Sequence, residues 1–296
     1  MSITSFRDPS RESDRPVTFQ SLQEKKQAGQ PITALTAYDY ATARLVDEAG
    51  IDLVLVGDSL AMVVMGYEST LPVTMDEMLH HTRAVRRAVR RALVVADMPY
   101  GSYQSSLEQG VANAVRFVKE AGAQAVKVEG GAGRAELVER LTAAEIPVVG
   151  HLGLTPQSVH RMGGYKVQGK SAAAIAELLH DAHTLEAAGA VLLVLEGIPR
   201  EVAARITSEV GIPTIGIGAG PDCDGQILVF HDLVNLSFSP APKFARQYAD
   251  AAALFRDAIE SYRRDVEERA FPSDRESYHL PKEAAAALDR SAMRRA

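Results

Sequence analysis

The sequence predicts a single-domain (β/α)8 barrel, the TIM-barrel class of α/β fold, on three observations. Eight short apolar runs alternate with helix-forming segments along most of the 296 residues. Runs such as Leu53-Val-Leu-Val-Gly57 lack polar alternation, as parallel strands buried on both faces do. Five runs end in ionisable residues, and barrels of this class carry their chemistry at the C-terminal ends of several strands. An open doubly wound sheet is the alternative, but charges gathered at five strand tips favour the closed barrel.

In order along the chain, residues 1–16 are polar and read as a flexible arm with no apolar signal core. Residues 17–29 read as a helix entered at Thr18, with Lys25 and Lys26 near its C-terminal end. The first βαβ unit is strand 32–37, helix 39–50 with Gly50 at its end, and strand 53–57. A loop with Gly66, Thr70 and Pro72 leads to helix 75–91 and a third strand ending at Asp97. Helix 107–122, strand four through Glu129, helix 134–145 and strand five to His151 keep the rhythm. A long polar loop, 155–170, precedes helix 172–189 and strand six, which stops at Glu196. Helix 200–211, strand seven at 213–218, strand eight at 227–230 and a helical stretch at 243–269 complete the count. No linker divides this span, so the barrel domain is read as residues 17–270. Residues 271–296 are read as a disordered tail.

Composition bounds the function. The chain is 46% hydrophobic and 24% charged, ordinary for a globular protein, and its net charge of −6 gives no general attraction for nucleic acid. No apolar segment approaches the roughly 20 residues of a membrane helix. The single cysteine, Cys223, excludes an intramolecular disulfide, and with the polar N-terminus points to the cytoplasm. Small-molecule substrates are the expected partners.

Asp58, Asp97 and Glu129 offer three hard oxygen ligands from neighbouring strands, a set that suits Mg²⁺ or Mn²⁺ with positions left open. Any one of these acids alone is as readily a helix cap or an arginine partner. Zinc is disfavoured, because no His/Cys cluster has zinc spacing. Lys127 and Glu129 are two apart on one strand and share a face. Such a lysine can hold a substrate carboxylate, steady an enolate oxygen, or simply pair with Glu129 or Asp97. Glu196 ends an apolar strand, where burial raises a carboxyl pKa and suits a general base; a salt bridge to Arg161 or Arg200 is its plainer fate. His151 is either a substrate donor or structural.

Several runs together resemble the ketopantoate hydroxymethyltransferase family. They are Leu53-Val-Leu-Val-Gly-Asp-Ser59, Val126-Lys-Val-Glu-Gly130, Gly150-His-Leu-Gly-Leu-Thr-Pro-Gln157 and Gly163-Gly-Tyr-Lys-Val-Gln-Gly169, then Leu193-Val-Leu-Glu196 and Gly216-Ile-Gly-Ala-Gly220 with Asp224-Gly-Gln226. Each is weak alone; their order is specific. The resemblance, over residues 18–249, implies a barrel enzyme of pantothenate biosynthesis. It would add a hydroxymethyl group from 5,10-methylenetetrahydrofolate to 3-methyl-2-oxobutanoate through a Mg²⁺-stabilised enolate. It implies Asp58, Asp97 and Glu129 as Mg²⁺ site, Asp58, Ser59, Asp97 and Lys127 as oxo-acid contacts, and Glu196 as proton acceptor, while His151 is counted with the substrate contacts on its own strand-end position. It also implies a homodecamer.

Three other features point elsewhere and carry less. Gly216-Ile-Gly-Ala-Gly220 mimics part of a dinucleotide fingerprint but comes late, without the βαβ unit that NAD binding needs. Arg83, Arg86, Arg87, Arg90 and Arg91 read as a solvated or subunit-facing surface, and Cys223 receives no role. The glycines of 162–170 would let that loop close over the site. The alternative enzyme is a barrel of the phosphoenolpyruvate mutase and isocitrate lyase group, but the Lys-Lys-Cys-Gly-His run expected of isocitrate lyase is missing. A non-catalytic barrel would carry a disrupted set of tips, and this set is intact.

Overall fold

Eight parallel strands close in sequence order in the computed structural model, which describes residues 15–286. They are β1 (Ile32–Thr36), β2 (Leu53–Val56), β3 (Leu93–Asp97), β4 (Ala125–Glu129), β5 (Val148–Gly153), β6 (Leu192–Glu196), β7 (Thr214–Ile217) and β8 (Gly225–Leu228). β1 pairs with β8 from Ile32 opposite Gly225 to Leu35 opposite Leu228, so no strand edge is left open. Closure brings the backbones close at Gly225, where a Cβ would lie 2.4 Å from the Ile32 carbonyl oxygen.

The continuous apolar runs are explained by burial on both faces. Leu53, Leu55, Leu93, Val95, Val149, Leu192 and Val194 fill the barrel interior, while Val54, Val56, Val94, Ala96, Val126 and Leu193 pack outward among the helices. Stepping by two along the inward face, apolar residues give way to Asp97 on β3, Lys127 and Glu129 on β4, His151 on β5 and Glu196 on β6. The core-filling face therefore becomes the chemical face at one end of the barrel.

The other end is closed by the helix Phe19–Gln27, capped by Thr18, whose Leu22 is fully buried with Val17 in the interior cluster. Lys25 Nζ sits 2.7 Å from Asp52 Oδ2, and Lys26 Nζ sits 2.8 Å from Asp224 Oδ2. Asp52 and Asp224 immediately precede β2 and β8, so the acids at this end tie the plug to the strands.

Four differences from the sequence expectations stand out. β8 spans Gly225–Leu228 rather than 227–230, and Phe230 instead opens the short helix Phe230–Leu233. The helix expected at 75–91 is Met75–Ala88, because Asp47 takes the N–H groups of Arg90, Arg91 and Ala92 and holds that segment extended. Short helices at Leu60–Val63 and Val159–Met162 occupy segments expected to be loop. The helix expected at 243–269 is Ala251–Glu267, within a second compact unit that begins at Ala249, while the barrel's unit ends at Tyr248. Residues 1–14 of the expected arm and 287–296 of the expected tail lie outside the described residues.

Candidate functional site

The strand register assembles the site. Asp97 is the β-partner of Lys127, and Glu129 is the partner of His151, so adjacent strands deliver neighbouring side chains. Asp58, one residue beyond Gly57 at the end of β2, donates its N–H to Asp97 Oδ2 at 3.2 Å. Asp58, Asp97 and Glu129 each place one carboxylate oxygen within 4.8 Å of the others, and all three are buried. The structure thus brings together the three acids named from the sequence.

Lys127 lies inside this cluster, with Nζ 2.9 Å from Asp97 Oδ2, 3.5 Å from Glu129 Oε1 and 3.2 Å from His151 Nδ1. Lys127 thus forms an ion pair with Asp97 and Glu129. Burial alone would push this ammonium down, but the charges of Asp97, Glu129 and Asp58 hold it well above the ordinary lysine value. His151 links the cluster to Glu196, with Nδ1 3.3 Å from Glu129 Oε1 and Nε2 3.1 Å from Glu196 Oε2. Burial and the Lys127 charge depress the imidazole, yet the adjacent Glu129 and Glu196 carboxylates outweigh them and raise its pKa to about 9. Glu196 pairs with this histidine rather than with a loop arginine. Its side chain is 17% exposed against 2% for His151, so Glu196 is the carboxylate of the group that opens to solvent.

Two residues without a role in the sequence reading complete the site. Gln157, in the turn after β5, donates its backbone N–H to Glu129 Oε2 at 3.0 Å and its side-chain Nε2 to Asp58 Oδ2 at 3.0 Å. Tyr103, in the loop after β3, donates to Gln157 Oε1 at 2.7 Å and accepts the Glu129 N–H at 3.1 Å. Gln157 closes one of the runs quoted above, which was its only signal. Tyr103 had none.

A divalent cation suits these donors. Three carboxyl groups, Asp58, Asp97 and Glu129, face two cationic partners, Lys127 and His151, so acid outnumbers positive charge in a buried volume. Burial, then the Asp97 and Glu129 charges, drives the Asp58 pKa well above the ordinary carboxylate range, a sign that the triad lacks positive charge. Asp97 Oδ1 and Glu129 Oε1 are buried without a hydrogen bond, as ligand oxygens directed at an ion would be.

Ser59 stands beside Asp58, its Oγ 2.8 Å from the Tyr38 hydroxyl. The glycine-rich loop is turned by Gly163, Gly164 and Gly169, all at positive φ, and is fastened to the end of β6 by Gln168 N–H donating to the Gly197 carbonyl at 2.9 Å. Of the clustered arginines, Arg86 binds the Val89 carbonyl and Arg91 binds Asp52, so both serve the fold.

A family profile described as ketopantoate hydroxymethyltransferase matches residues 16–274. The 3-methyl-2-oxobutanoate hydroxymethyltransferase of Koribacter versatilis (strain Ellin345) is 67% identical over 273 residues, 92% of each chain. That of Thermoanaerobacter sp. (strain X514) is 54% identical over 266 residues, 90% of this chain and 97% of its own. Among solved structures, a phosphonopyruvate hydrolase complex with oxalate and Mg++ superposes with a TM-score of 0.60 at 16% identity, covering 94% of this chain and 97% of the other. A 2,3-dimethylmalate lyase of the PEP mutase/isocitrate lyase superfamily gives 0.55 at 18% identity, covering 93% and 96%. Those two likenesses speak for the barrel alone. The profile match encloses every site residue from Asp58 to Glu196, and with the identity to the curated relatives it shows that the chain belongs to the ketopantoate hydroxymethyltransferase family.

Proposed function

We propose that this chain transfers a hydroxymethyl group from 5,10-methylenetetrahydrofolate to 3-methyl-2-oxobutanoate, consuming water and giving 2-dehydropantoate and tetrahydrofolate in pantothenate and coenzyme A synthesis. Family membership supports the reaction. The observation that carries the chemistry is a buried triad of carboxylates, two with an unbonded oxygen, joined through Lys127 and His151 to a carboxylate that opens to solvent.

In this reading Asp58, Asp97 and Glu129 would hold Mg²⁺, directly or through water, and Asp58, Ser59, Asp97, Lys127 and His151 line the oxo-acid position. When bound, the ion supplies Lewis-acid polarisation of the keto group, which acidifies C3. Glu196 is the base: it takes the C3 proton, the enolate carbon bonds to the one-carbon unit, whose bond to the folate nitrogen breaks to free tetrahydrofolate, and water supplies the hydroxyl. His151 Nε2 lies 3.1 Å from Glu196 Oε2, and this charge pairing holds the carboxylate in place between proton transfers. Lys127 keeps its charge beside the triad and offsets negative charge that develops on the substrate oxygen. The loop 162–170 closes over the site and keeps water from the enolate. We place the enzyme in the cytoplasm as a homodecamer, on the strength of the family resemblance. Light scattering at ten times the subunit mass of 31.9 kDa would agree with that assembly.

The deciding experiment measures 2-dehydropantoate formation with and without Mg²⁺ and the folate, in wild type and Glu196→Gln. Product that needs both and collapses in the variant supports reaction and base together. Exchange of the C3 proton in deuterated water without product would keep the enolate and remove the one-carbon donor. The phosphoenolpyruvate mutase and isocitrate lyase alternative rests on a fold likeness at 16–18% identity, against 67% within the family.

A further inference from the structure

Gln157 reaches Asp58 across 99 residues of sequence, and its amide orientation follows from the surrounding bonds. The Glu129 N–H donates to the Tyr103 oxygen, so the phenol proton goes to Gln157 Oε1 at 2.7 Å. Gln104 Nε2 donates to the same oxygen at 2.9 Å. The NH2 group must then face the other way, where the Met98 carbonyl accepts at 2.9 Å and Asp58 Oδ2 at 3.0 Å. With both lone pairs and both protons used in a residue only 6% exposed, the amide cannot flip without losing four hydrogen bonds.

This has a consequence for the triad. Gln157 occupies Asp58 Oδ2 with its side chain and Glu129 Oε2 with its backbone N–H, while Lys127 and the Asp58 N–H occupy Asp97 Oδ2. One oxygen on each acid is not taken by these hydrogen bonds, Asp58 Oδ1, Asp97 Oδ1 and Glu129 Oε1; the last two are buried without a hydrogen bond, Glu129 Oε1 meeting only the charges of Lys127 at 3.5 Å and His151 at 3.3 Å. We infer that Gln157 is a positioning residue that selects which oxygens of Asp58 and Glu129 face a divalent cation, with Tyr103 fixing its amide.

The inference rests on the proposed metal site, and its test separates the two. Mn²⁺ is titrated by electron paramagnetic resonance into metal-free wild type, Gln157→Met and Tyr103→Phe, with the thermal midpoint of each metal-free protein recorded. Methionine keeps the length and the backbone N–H but neither donates to Asp58 nor accepts from Tyr103. The expected result is Mn²⁺ affinity weakened about 10–100-fold in Gln157→Met and toward the lower end of that range in Tyr103→Phe. Turnover of Gln157→Met should return toward wild type at saturating Mn²⁺ with KM for the oxo acid unchanged, a rescue that a merely structural defect would not show. A folded Gln157→Met binding Mn²⁺ within about twofold of wild type overturns the inference. If that variant does not fold, Tyr103→Phe decides by the same criterion. Wild type that binds no Mn²⁺ removes the metal reading and the inference with it; wild type that binds alongside unaffected variants removes the inference alone.

Discussion

Glu196 and Lys127 show how burial divides labour between two charged side chains. Glu196 opens to solvent and touches the cluster only through His151, so Glu196→Gln should lower kcat by about 10²–10⁴-fold, the usual contribution of a positioned base. Mn²⁺ affinity should stay near wild type, and a parallel fall in metal binding would place Glu196 among the ligands. Lys127 is 3% exposed and supplies the triad's nearest positive charge. Lys127→Ala leaves buried carboxylates uncompensated, so the metal-free protein should lose about 3–5 kcal/mol. Divalent cation should restore part of that loss, since it replaces the missing charge. Thermal midpoints with and without Mg²⁺ check this, and equal losses in both would argue against charge as the cause.

At the level of elements, the end of β5 sets the end of β6. Gly153 has φ of 93°, and a Cβ there would lie 2.2 Å from the Glu196 carbonyl oxygen, to which Leu154 N–H donates at 2.8 Å. Gly153→Ala should cost about 1–3 kcal/mol and move the β6 tip, lowering turnover more than Mn²⁺ binding. At the opposite end, burial alone would raise the Asp52 pKa, but Lys25 and the Thr33 N–H and hydroxyl outweigh it and lower it. A depressed carboxylate pKa adds stability that is present above the unfolded value and is lost as pH falls through the folded one. Asp52→Asn should therefore destabilise by a few kcal/mol near pH 7, and the gap to wild type should narrow below about pH 4. A gap independent of pH would mean that packing, not charge, holds the plug helix. These strands and most helices were legible in the sequence because each is set by a local pattern. The end of Met75–Ala88 was not, because the Asp47 carboxylate that claims the following N–H groups comes from about 40 residues earlier.

For the whole barrel, a cation held at the proposed triad site would couple folding to metal. Magnesium at about 100 times its Kd should stabilise the protein by about 2.7 kcal/mol, or a rise in Tm on the order of 5–10 °C, reversed by chelator. A Tm indifferent to Mg²⁺ at millimolar concentration would deny a specific site.

The sequence by itself determined the chemistry of the strand tips and their order. A parallel strand buried on both faces must be an uninterrupted apolar run, so Asp58, Asp97, Lys127, Glu129, His151 and Glu196 stand out where such runs end. Only the tertiary structure decided how those tips are used. Closure of β1 on β8 and the strand register set Lys127 against Asp97 and His151 against Glu129. The turn after β5 then brought Gln157 onto two acids from other strands. Residue type is written locally, but which carboxylate oxygen is left without a hydrogen bond depends on groups tens of residues apart meeting in one buried volume.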